Sequence, residues 1–320
     1  MNRSDMEEKY DVLILTTAKD FERVECCYPH LLQEMQPRKV VFIGSSEVGE
    51  LCEKFNDRNP DQRAGFLNEE AVIPFSLVYE AMKKALDVQE LARRTTGWYY
   101  QQFLKMQYSY LCKDNYYLVW DGDTIPCRTV TMFQKEENIP YLDLKREYHK
   151  EYFETIEKIL PGMHKTIEKS FIAEHMLFRC DIMKHMIADI MANNSLQGEF
   201  FWEKIIAAIP KDKLISNSFS EFETYGTYVS YKYTTSYALR QWHSFRYAGA
   251  FLHPEKLTDA DYQWFGKDFD ALSFEKNQSV REDHENLFNN PKYQQRLSAR
   301  KMLEIAQQEF TEGYLEVWDD

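Results

Sequence analysis

Glycine and proline are both scarce in this chain of 320 residues, with 11 and 10 copies respectively. Their distribution marks no flexible linker, and we find neither an internal repeat nor a low-complexity segment. No apolar run approaches the roughly 20 residues that a membrane-spanning helix requires. These absences argue against a string of separate domains and against an integral membrane protein.

A basic surface and a secretion signal are also missing. The net charge is −13 at pH 7, which argues against general nucleic-acid binding and against electrostatic attachment to anionic lipid. Residues 1–10 have neither the basic segment nor the apolar segment of a signal peptide. The six cysteines form no C-x-x-C pair and no zinc-ligand spacing, so we expect reduced thiols. Together these features predict a cytoplasmic protein.

The first part of the chain alternates between short apolar runs and helical patterns. Residues 12–15 and 40–43 are apolar, and each run is followed by a polar loop and a helix-like stretch, the first over residues 21–34. This alternation predicts an α/β fold with a mostly parallel sheet. Ligands of such sheets bind outside the carboxyl ends of the strands, and Thr16, Thr17 and Asp20 follow the first run.

The most specific feature is the end of a third apolar run. Residues 116–120 are Tyr-Tyr-Leu-Val-Trp, and they lead directly into Asp121, Gly122 and Asp123. Two carboxylates at positions i and i+2 of a turn can reach one hard divalent cation, and oxygen ligands suit Mg²⁺ or Mn²⁺. Such a metal would hold the diphosphate of a nucleotide-sugar donor. We expect Asp123 to ligate directly and Asp121 to share the metal or hold the ribose.

Two other classes of function use the same residues. Phosphohydrolases of the haloacid-dehalogenase type also place Asp-x-Asp after an apolar strand, and Asp121 would then be the nucleophile. Ile125 at the fifth position and the two strand–helix units that precede the motif weigh against this reading. The other class is a non-catalytic protein that binds a sugar nucleotide.

Further charged residues are candidates for the donor and acceptor sides. Gln101 and Lys105 lie in a helical pattern over residues 97–106 and can face the donor. Glu221 and Glu223 are candidates for the general base that removes the proton of the acceptor hydroxyl. Ser220 three residues before Glu223 also matches a helix capping box, which is a structural alternative.

Four blocks of sequence together resemble a bacterial family of GT-A-type glycosyltransferases that is known mainly as a domain of unknown function. The blocks are Gly97-Trp98-Tyr99-x-Gln101-Gln102-x-x-Lys105, Trp120-Asp121-Gly122-Asp123-Thr124-Ile125, Ala173-Glu174-His175-Met176-Leu177-Phe178 and Ser220-Glu221-Phe222-Glu223-x-Tyr225-Gly226-x-Tyr228. The resemblance extends over roughly residues 10–250, which is most of the chain.

The resemblance implies a GT-A-like fold over residues 1–254, with residues 255–320 as a helical C-terminal extension. It implies Mn²⁺ or Mg²⁺ on Asp121 and Asp123, with His243 as a third ligand from a late segment. Arg240 or Arg246, which flank His243, can offer positive charge to the diphosphate. The loop with Thr16, Thr17 and Asp20 would contact the nucleoside, although Asp20 can instead cap the following helix.

The sequence as a whole therefore predicts a hexosyltransferase of polysaccharide biosynthesis. We expect a nucleotide-sugar donor, UDP-sugar above all, and a hydroxyl of a glycan or lipid-linked glycan as the acceptor. A lipid-linked acceptor would bring the protein close to a membrane.

Overall fold

The computed structural model describes residues 8–280, 288 and 290–309. The strands in chain order are β1 (Asp11–Leu15), β2 (Lys39–Gly44), β3 (Gly65–Asn68), β4 (Tyr116–Trp120), β5 (Thr124–Pro126), β6 (Tyr141–Leu144), β7 (His175–Arg179), β8 (Ala238–Gln241), β9 (Ser244–Phe245) and β10 (Ala271–Ser273). The α-helices are α1 (Phe21–Met35), α2 (Ser46–Arg58), α3 (Glu69–Val72), α4 (Phe75–Leu86), α5 (Arg93–Gln107), α6 (Lys150–Ile159), α7 (Cys180–Ala192), α8 (Phe201–Ala208), α9 (Lys211–Leu214), α10 (Glu221–Lys232), α11 (Asp259–Phe265), α12 (Pro291–Gln294) and α13 (Ala299–Glu309).

The chain divides into two compact units. The first contains the chain up to Ala18, Arg38–Trp120 and Met132–Gln241. The second contains Lys19–Pro37, Asp121–Thr131 and the chain from Trp242 onward. The second unit is therefore built from three separate segments, and this division differs from the predicted boundary after residue 254. Residues 281–287, 289 and 310–320 of the predicted extension lie outside the described residues.

A five-stranded sheet in the order β3-β2-β1-β4-β7 forms the centre of the first unit. The strands from β3 to β4 are parallel, and β7 runs antiparallel to β4. All five residues of β4 are buried, as expected of a strand covered on both faces by helices. The predicted α/β fold class with a mainly parallel sheet and flanking helices is therefore confirmed.

Helices α5 and α10 supply much of the packing in the first unit. Phe103 of α5 packs against the rings of Phe201 and Phe219. In α10, a Cβ atom at Gly226 would lie 2.2 Å from the Phe171 ring, so only glycine leaves room for this buried side chain. Within the region 220–233, whose sequence is ambiguous between strand and helix, Glu221–Lys232 form a helix, and residues 221–230 are all buried.

The second unit contains a small sheet in the order β5-β10-β9. Strand β10 pairs antiparallel with β5 and parallel with β9. Helix α1 is joined to β5 by the Cys27 thiol, which donates to the Thr124 carbonyl oxygen at 2.8 Å. Within the part of the chain that the structure describes, no helix is both long and apolar enough to span a membrane.

Candidate active site

The Asp121–Asp123 segment is a tight turn between a buried strand and β5. The Thr124 backbone N–H donates to the Asp121 carbonyl oxygen at 3.0 Å and closes the turn. The Thr124 hydroxyl is buried and lies 2.8 Å from the Ser273 hydroxyl of β10. Both aspartates remain partly exposed, and the hydrogen bond from Thr124 holds the backbone of the turn.

A segment that follows β10 brings three predicted residues together. The Phe274 N–H donates to the Asp123 carbonyl oxygen at 2.8 Å. The next residue, Glu275, accepts from Arg246 Nε at 2.9 Å. Lys276 then lies 3.2 Å from the Asp20 carboxylate. Residues 274–276 thus connect Asp123, Arg246 and Asp20, although the sequence had assigned them to a peripheral extension.

His243 lies elsewhere in the small sheet. Its carbonyl oxygen accepts from the Asp270 N–H at 2.6 Å, and its N–H donates to Asp270 Oδ2 at 2.9 Å. Asp270 and Phe274 flank β10 at its two ends, four residues apart, which corresponds to roughly 13 Å of extended chain. The structure therefore does not bring His243 and Asp123 together.

Asp121 and Asp123 are the residues of this site that could hold a metal ion. In the described ranges, no group of three His, Cys, Asp or Glu side chains is arranged to hold a metal ion. Mg²⁺ is usually held by one or two carboxylates, with water and substrate phosphates in the remaining positions. The Asp121 and Asp123 pair fits this form of binding, in which the substrate completes the site.

Thr16 and Thr17 follow β1 at the carboxyl edge of the central sheet. The Thr16 N–H donates to the Ile43 carbonyl oxygen of β2 at 3.0 Å. A Cβ atom at Gly44 would lie 2.6 Å from the Thr16 carbonyl oxygen, so glycine permits this close approach. Both threonine side chains are at least partly exposed, consistent with the predicted nucleoside contact.

The same edge carries an ion pair that the sequence did not predict. Glu69 directly follows β3, and its carboxylate lies 3.8 Å from Arg93 at the start of α5. The Arg93 guanidinium stacks on the Phe75 ring at 3.9 Å. Burial raises the pKa of Glu69, and the positive charge of Arg93 opposes this rise.

Lys105 and Glu221 are buried against each other. Their charged atoms are 2.7 Å apart, and the side chains are 8% and 5% exposed. The Lys105 ammonium also lies over the Phe222 ring, and Gln102 accepts from the Glu221 N–H at 3.0 Å. Gln101, one position before Gln102, is partly exposed. The pairing favours a structural role for Lys105 and Glu221 over contact with substrate.

Glu223 is buried in a second polar network. It accepts from the Ser170 hydroxyl at 2.6 Å and from the Phe171 N–H at 3.1 Å, and Lys165 lies 3.5 Å away. Burial raises the pKa of Glu223 despite these partners. Its own N–H donates to the Ser220 side chain, so Ser220 caps α10, whereas the Glu223 carboxylate bonds to Ser170 and Phe171 and does not complete the predicted capping box.

A further buried network lies beside the last residue of β4. His175 stacks on Trp120 and lies 2.8 Å from Asp143. Arg240 donates two hydrogen bonds to Asp143, at 2.6 and 2.7 Å. Burial alone would raise the pKa of Asp143, but the hydrogen bonds from Arg240 and His175 outweigh burial and lower this pKa to about 2. The alternation of apolar and charged side chains over residues 141–145 is the sequence signal that could have predicted strand β6, which carries Asp143.

The fold was compared with solved structures. Mouse xyloside xylosyltransferase 1 in its apo form has a TM-score of 0.42 at 10% identity, with 85% of this chain and 100% of that chain covered. The WbbM bifunctional glycosyltransferase has a TM-score of 0.41 at 11% identity, with 87% and 48% covered. The galactosyltransferase LgtC in complex with donor and acceptor sugar analogues has a TM-score of 0.37 at 10% identity, with 97% and 98% covered.

The sequence was also compared with curated proteins and with family profiles. No curated protein matches the chain. One profile, described as a family of unknown function (DUF6492), matches residues 12–296. Because this match covers most of the 320 residues, the chain belongs to the DUF6492 family.

Proposed function

We propose that this protein is a metal-dependent glycosyltransferase that moves a sugar from a nucleoside-diphosphate donor to a hydroxyl of a glycan or lipid-linked glycan. The donor we favour is a UDP-sugar. The observation that carries the proposal is the anchored Asp121–Asp123 turn at the end of β4. The backbone of this turn is hydrogen-bonded to Phe274. The two residues that follow Phe274 are Glu275, which pairs with Arg246, and Lys276, which pairs with Asp20.

The topology of the central sheet supports a ligand site at its carboxyl edge. From β1 the chain proceeds to β2 and β3 on one side, and β4 then lies on the other side of β1. Ligands of open α/β sheets bind outside the carboxyl ends of the strands where the order reverses in this way. The chain leaves β1 through Thr16 and leaves β4 through Asp121.

Each residue then has a role that follows from its chemistry. Bound Mg²⁺ or Mn²⁺ would neutralise the charge that develops on the departing nucleoside diphosphate. Asp121 and Asp123 would hold the metal. Arg246 and Lys276 exchange their carboxylate partners for phosphate oxygens, which accept charge-assisted hydrogen bonds.

The alternative function, a phosphohydrolase with Asp121 as nucleophile, is less well supported. That class usually begins its core with the Asp-x-Asp strand, whereas β4 here follows three other strands. Strand β4 lies between β1 and β7, and β7 runs antiparallel to β4. Both observations favour the transferase.

The test is thermal unfolding of the full chain with each nucleoside diphosphate, with and without MnCl₂. A ligand at about 100 times its Kd stabilises the folded state by about 2.7 kcal/mol, which raises Tm by roughly 4 °C for a chain of this size. We expect one nucleotide to give this shift only with Mn²⁺. Asp123→Ala should abolish the shift and leave the Tm of the unliganded protein unchanged.

Asp57→Ala is the matched control, because Asp57 is an exposed aspartate of α2. It should retain the full Mn²⁺-dependent shift. An equal shift for Asp123→Ala and wild type would refute the metal assignment. If no nucleotide shifts Tm and the protein hydrolyses para-nitrophenyl phosphate in a manner that Asp121→Asn abolishes, the phosphohydrolase is the correct function.

A further inference from the structure

Three helices of the first unit border a small open cavity of about 160 Å³. It is lined by residues 160–163, which directly follow α6, by Asp189 of α7, and by Tyr231 and Lys232, the last two residues of α10. A cavity of about 150 Å³ can hold one benzene ring. The cavity of this protein therefore has the size of a single six-membered ring and is too small for a nucleotide.

The apolar side of the cavity is held in place by local contacts. The Met163 N–H donates to the Leu160 carbonyl oxygen at 3.0 Å and closes a turn after α6. His164 Nδ1 lies 3.3 Å from the Gly162 carbonyl oxygen, and the His164 ring meets the Tyr231 ring edge to face with 5.5 Å between the centroids. Tyr231 is 43% exposed. The cavity thus combines a fixed apolar wall with an aromatic ring that a ligand can reach.

The polar side of the cavity is an ion pair. Lys232 Nζ donates to Asp189 Oδ2 at 2.6 Å, and the two side chains are 42% and 41% exposed. The Tyr228 hydroxyl donates to the same carboxylate oxygen, and the Lys232 ammonium lies over the Tyr228 ring. Burial alone would raise the pKa of Asp189, but the hydrogen bonds from Lys232 and Tyr228 outweigh burial and lower this pKa. Asp189 is therefore a carboxylate at neutral pH.

Opposite charges side by side select against ionic ligands. An anion attracted by Lys232 is repelled by Asp189, and the reverse holds for a cation. A neutral hydroxyl group can donate to the carboxylate, and a second one can accept from the ammonium. Because an exposed ion pair contributes little to stability, sharing its charges with such a ligand costs little free energy.

We propose that this cavity binds one neutral pyranose unit of a glycan. Two hydroxyl groups of the sugar bond to Asp189 and Lys232, and its C–H face packs on the Tyr231 ring, whose face carries the negative part of the quadrupole. Because Tyr231 and Lys232 are partly exposed, the neighbouring units of a glycan can extend into solvent. All of these residues belong to the first unit, whereas Asp121 and Asp123 belong to the second, so the cavity is a sugar site in addition to the proposed metal site.

The first experiment observes the cavity directly. The full chain is labelled with ¹³C-methyl methionine, kept in EDTA without nucleotide, and titrated with the methyl glycosides of glucose, galactose, mannose and N-acetylglucosamine. Met163→Leu identifies the Met163 resonance. We expect a saturable shift of this resonance with at least one glycoside and none for Met35 of α1. The absence of a saturable shift of Met163 with all four glycosides would overturn the proposal, whatever the outcome of the Mn²⁺-dependent nucleotide test.

Charged sugars test the chemical class of the ligand. Methyl glucuronoside and methyl glucosaminide have the ring of methyl glucoside but carry a carboxylate and an ammonium group, respectively. Both should bind more weakly than the neutral glycoside that shifts Met163 most, because each meets one repelling charge in the cavity. Tighter binding of either charged sugar would refute the assignment to a neutral ligand.

Asp189→Asn tests the carboxylate without leaving the Tyr228 hydroxyl unpaired, since the amide oxygen still accepts a hydrogen bond. The variant should weaken glycoside binding by about fivefold or more, because a charge-assisted hydrogen bond is lost. Glu154→Gln is the matched control, since Glu154 is a partly exposed carboxylate of α6 that also pairs with a lysine, Lys213. It should bind the glycoside with wild-type affinity. Equal affinities for Asp189→Asn and Glu154→Gln would contradict the proposal.

Tyr231→Ala tests the aromatic contact. It should weaken glycoside binding by about fivefold or more, because the sugar loses the apolar surface on which it packs. Tyr148→Ala removes another exposed tyrosine, which is 65% exposed and does not line the cavity, and it should leave the affinity unchanged. Binding that survives Tyr231→Ala at full strength would show that the sugar does not occupy this cavity.

Discussion

Two lysine–carboxylate pairs of this protein have similar geometry and opposite surroundings. Lys105 and Glu221 are 2.7 Å apart with less than a tenth of either side chain exposed. Lys276 and Asp20 are 3.2 Å apart, with 65% and 35% of their side chains exposed. Removing one partner of a buried pair leaves a charge without compensation, whereas an exposed pair contributes little to stability.

This difference separates fixed charges from exchangeable ones. A buried ion pair cannot release its partner for a substrate without a large cost in free energy. An exposed pair can exchange a carboxylate for a phosphate at little cost. The residues that belong to a donor site should therefore be found among the exposed pairs, and Lys276 and Arg246 meet this requirement while Lys105 does not.

The largest expected effect is that of breaking the buried pair. Lys105→Ala should lower the free energy of unfolding by about 3 to 5 kcal/mol, because Glu221 would remain buried and charged. Urea unfolding measures the loss. Lys84→Ala, at an exposed position of α4, should change the same quantity by less than about 0.5 kcal/mol.

A double variant shows whether Lys105 only stabilises the fold. Lys105→Met with Glu221→Leu should recover most of the stability, since apolar residues often replace a buried ion pair well. If the recovered protein also keeps its Mn²⁺-dependent nucleotide shift, both residues are structural. Loss of the nucleotide shift in the stable double variant would show that Lys105 or Glu221 acts at the substrate site.

The next effect is the acid dependence of the buried Asp143. Its pKa of about 2 in the folded state lies below the ordinary value of about 3.9. Its carboxylate therefore stabilises the fold at neutral pH, and the contribution of about 2.6 kcal/mol is lost progressively as pH falls from about 5 towards 1. The stability difference between wild type and Asp143→Asn should shrink over this range. A difference that stays constant with pH would contradict the assigned pKa.

The smallest effect concerns the exposed pair. Lys276→Ala should change stability by less than about 0.5 kcal/mol, but it should weaken binding of the nucleoside diphosphate by about fivefold to tenfold. The loss should be greater at low salt, because screening is then weak. Titration calorimetry with Mn²⁺ present measures the affinity. Lys267 is an exposed lysine of the same unit, and the Lys267→Ala variant should bind the nucleotide with wild-type affinity. Equal affinities for the Lys276→Ala and Lys267→Ala variants would show that Lys276 does not contact the nucleotide.

The sequence predicted the elements of the fold well because their signals are local. The run from Tyr116 to Trp120 has the apolar character of a fully buried strand. Helix α6 follows a clear amphipathic pattern over residues 150–159. Asp121 and Asp123 could be located at the end of β4 because strand and turn are contiguous in sequence.

The environment of each charge could not be predicted in the same way. Glu221 and Glu223 share a sequence block with an expected catalytic role, yet their partners Lys105 and Ser170 come from distant segments. Periodicity shows which face of a helix is polar, but it does not show whether a long-range partner covers that face. For the same reason the sequence did not predict the role of residues 274–276, since their contacts with Asp123 and Asp20 join segments that are far apart in the chain.

Lys276 and Asp20 are 256 positions apart along the chain, and this separation constrains the order of assembly during synthesis. A ribosome that has released residues up to 241 has supplied every strand of the five-stranded sheet. The turn at Asp123 still lacks its anchor at Phe274 at that time. Helix α1 and strand β5 also lack their packing partners at that time, because the third segment of their unit, which begins at Trp242, is synthesised last. Contacts of such long range form slowly, so we expect nucleotide binding to be acquired late in folding, after the central sheet is complete.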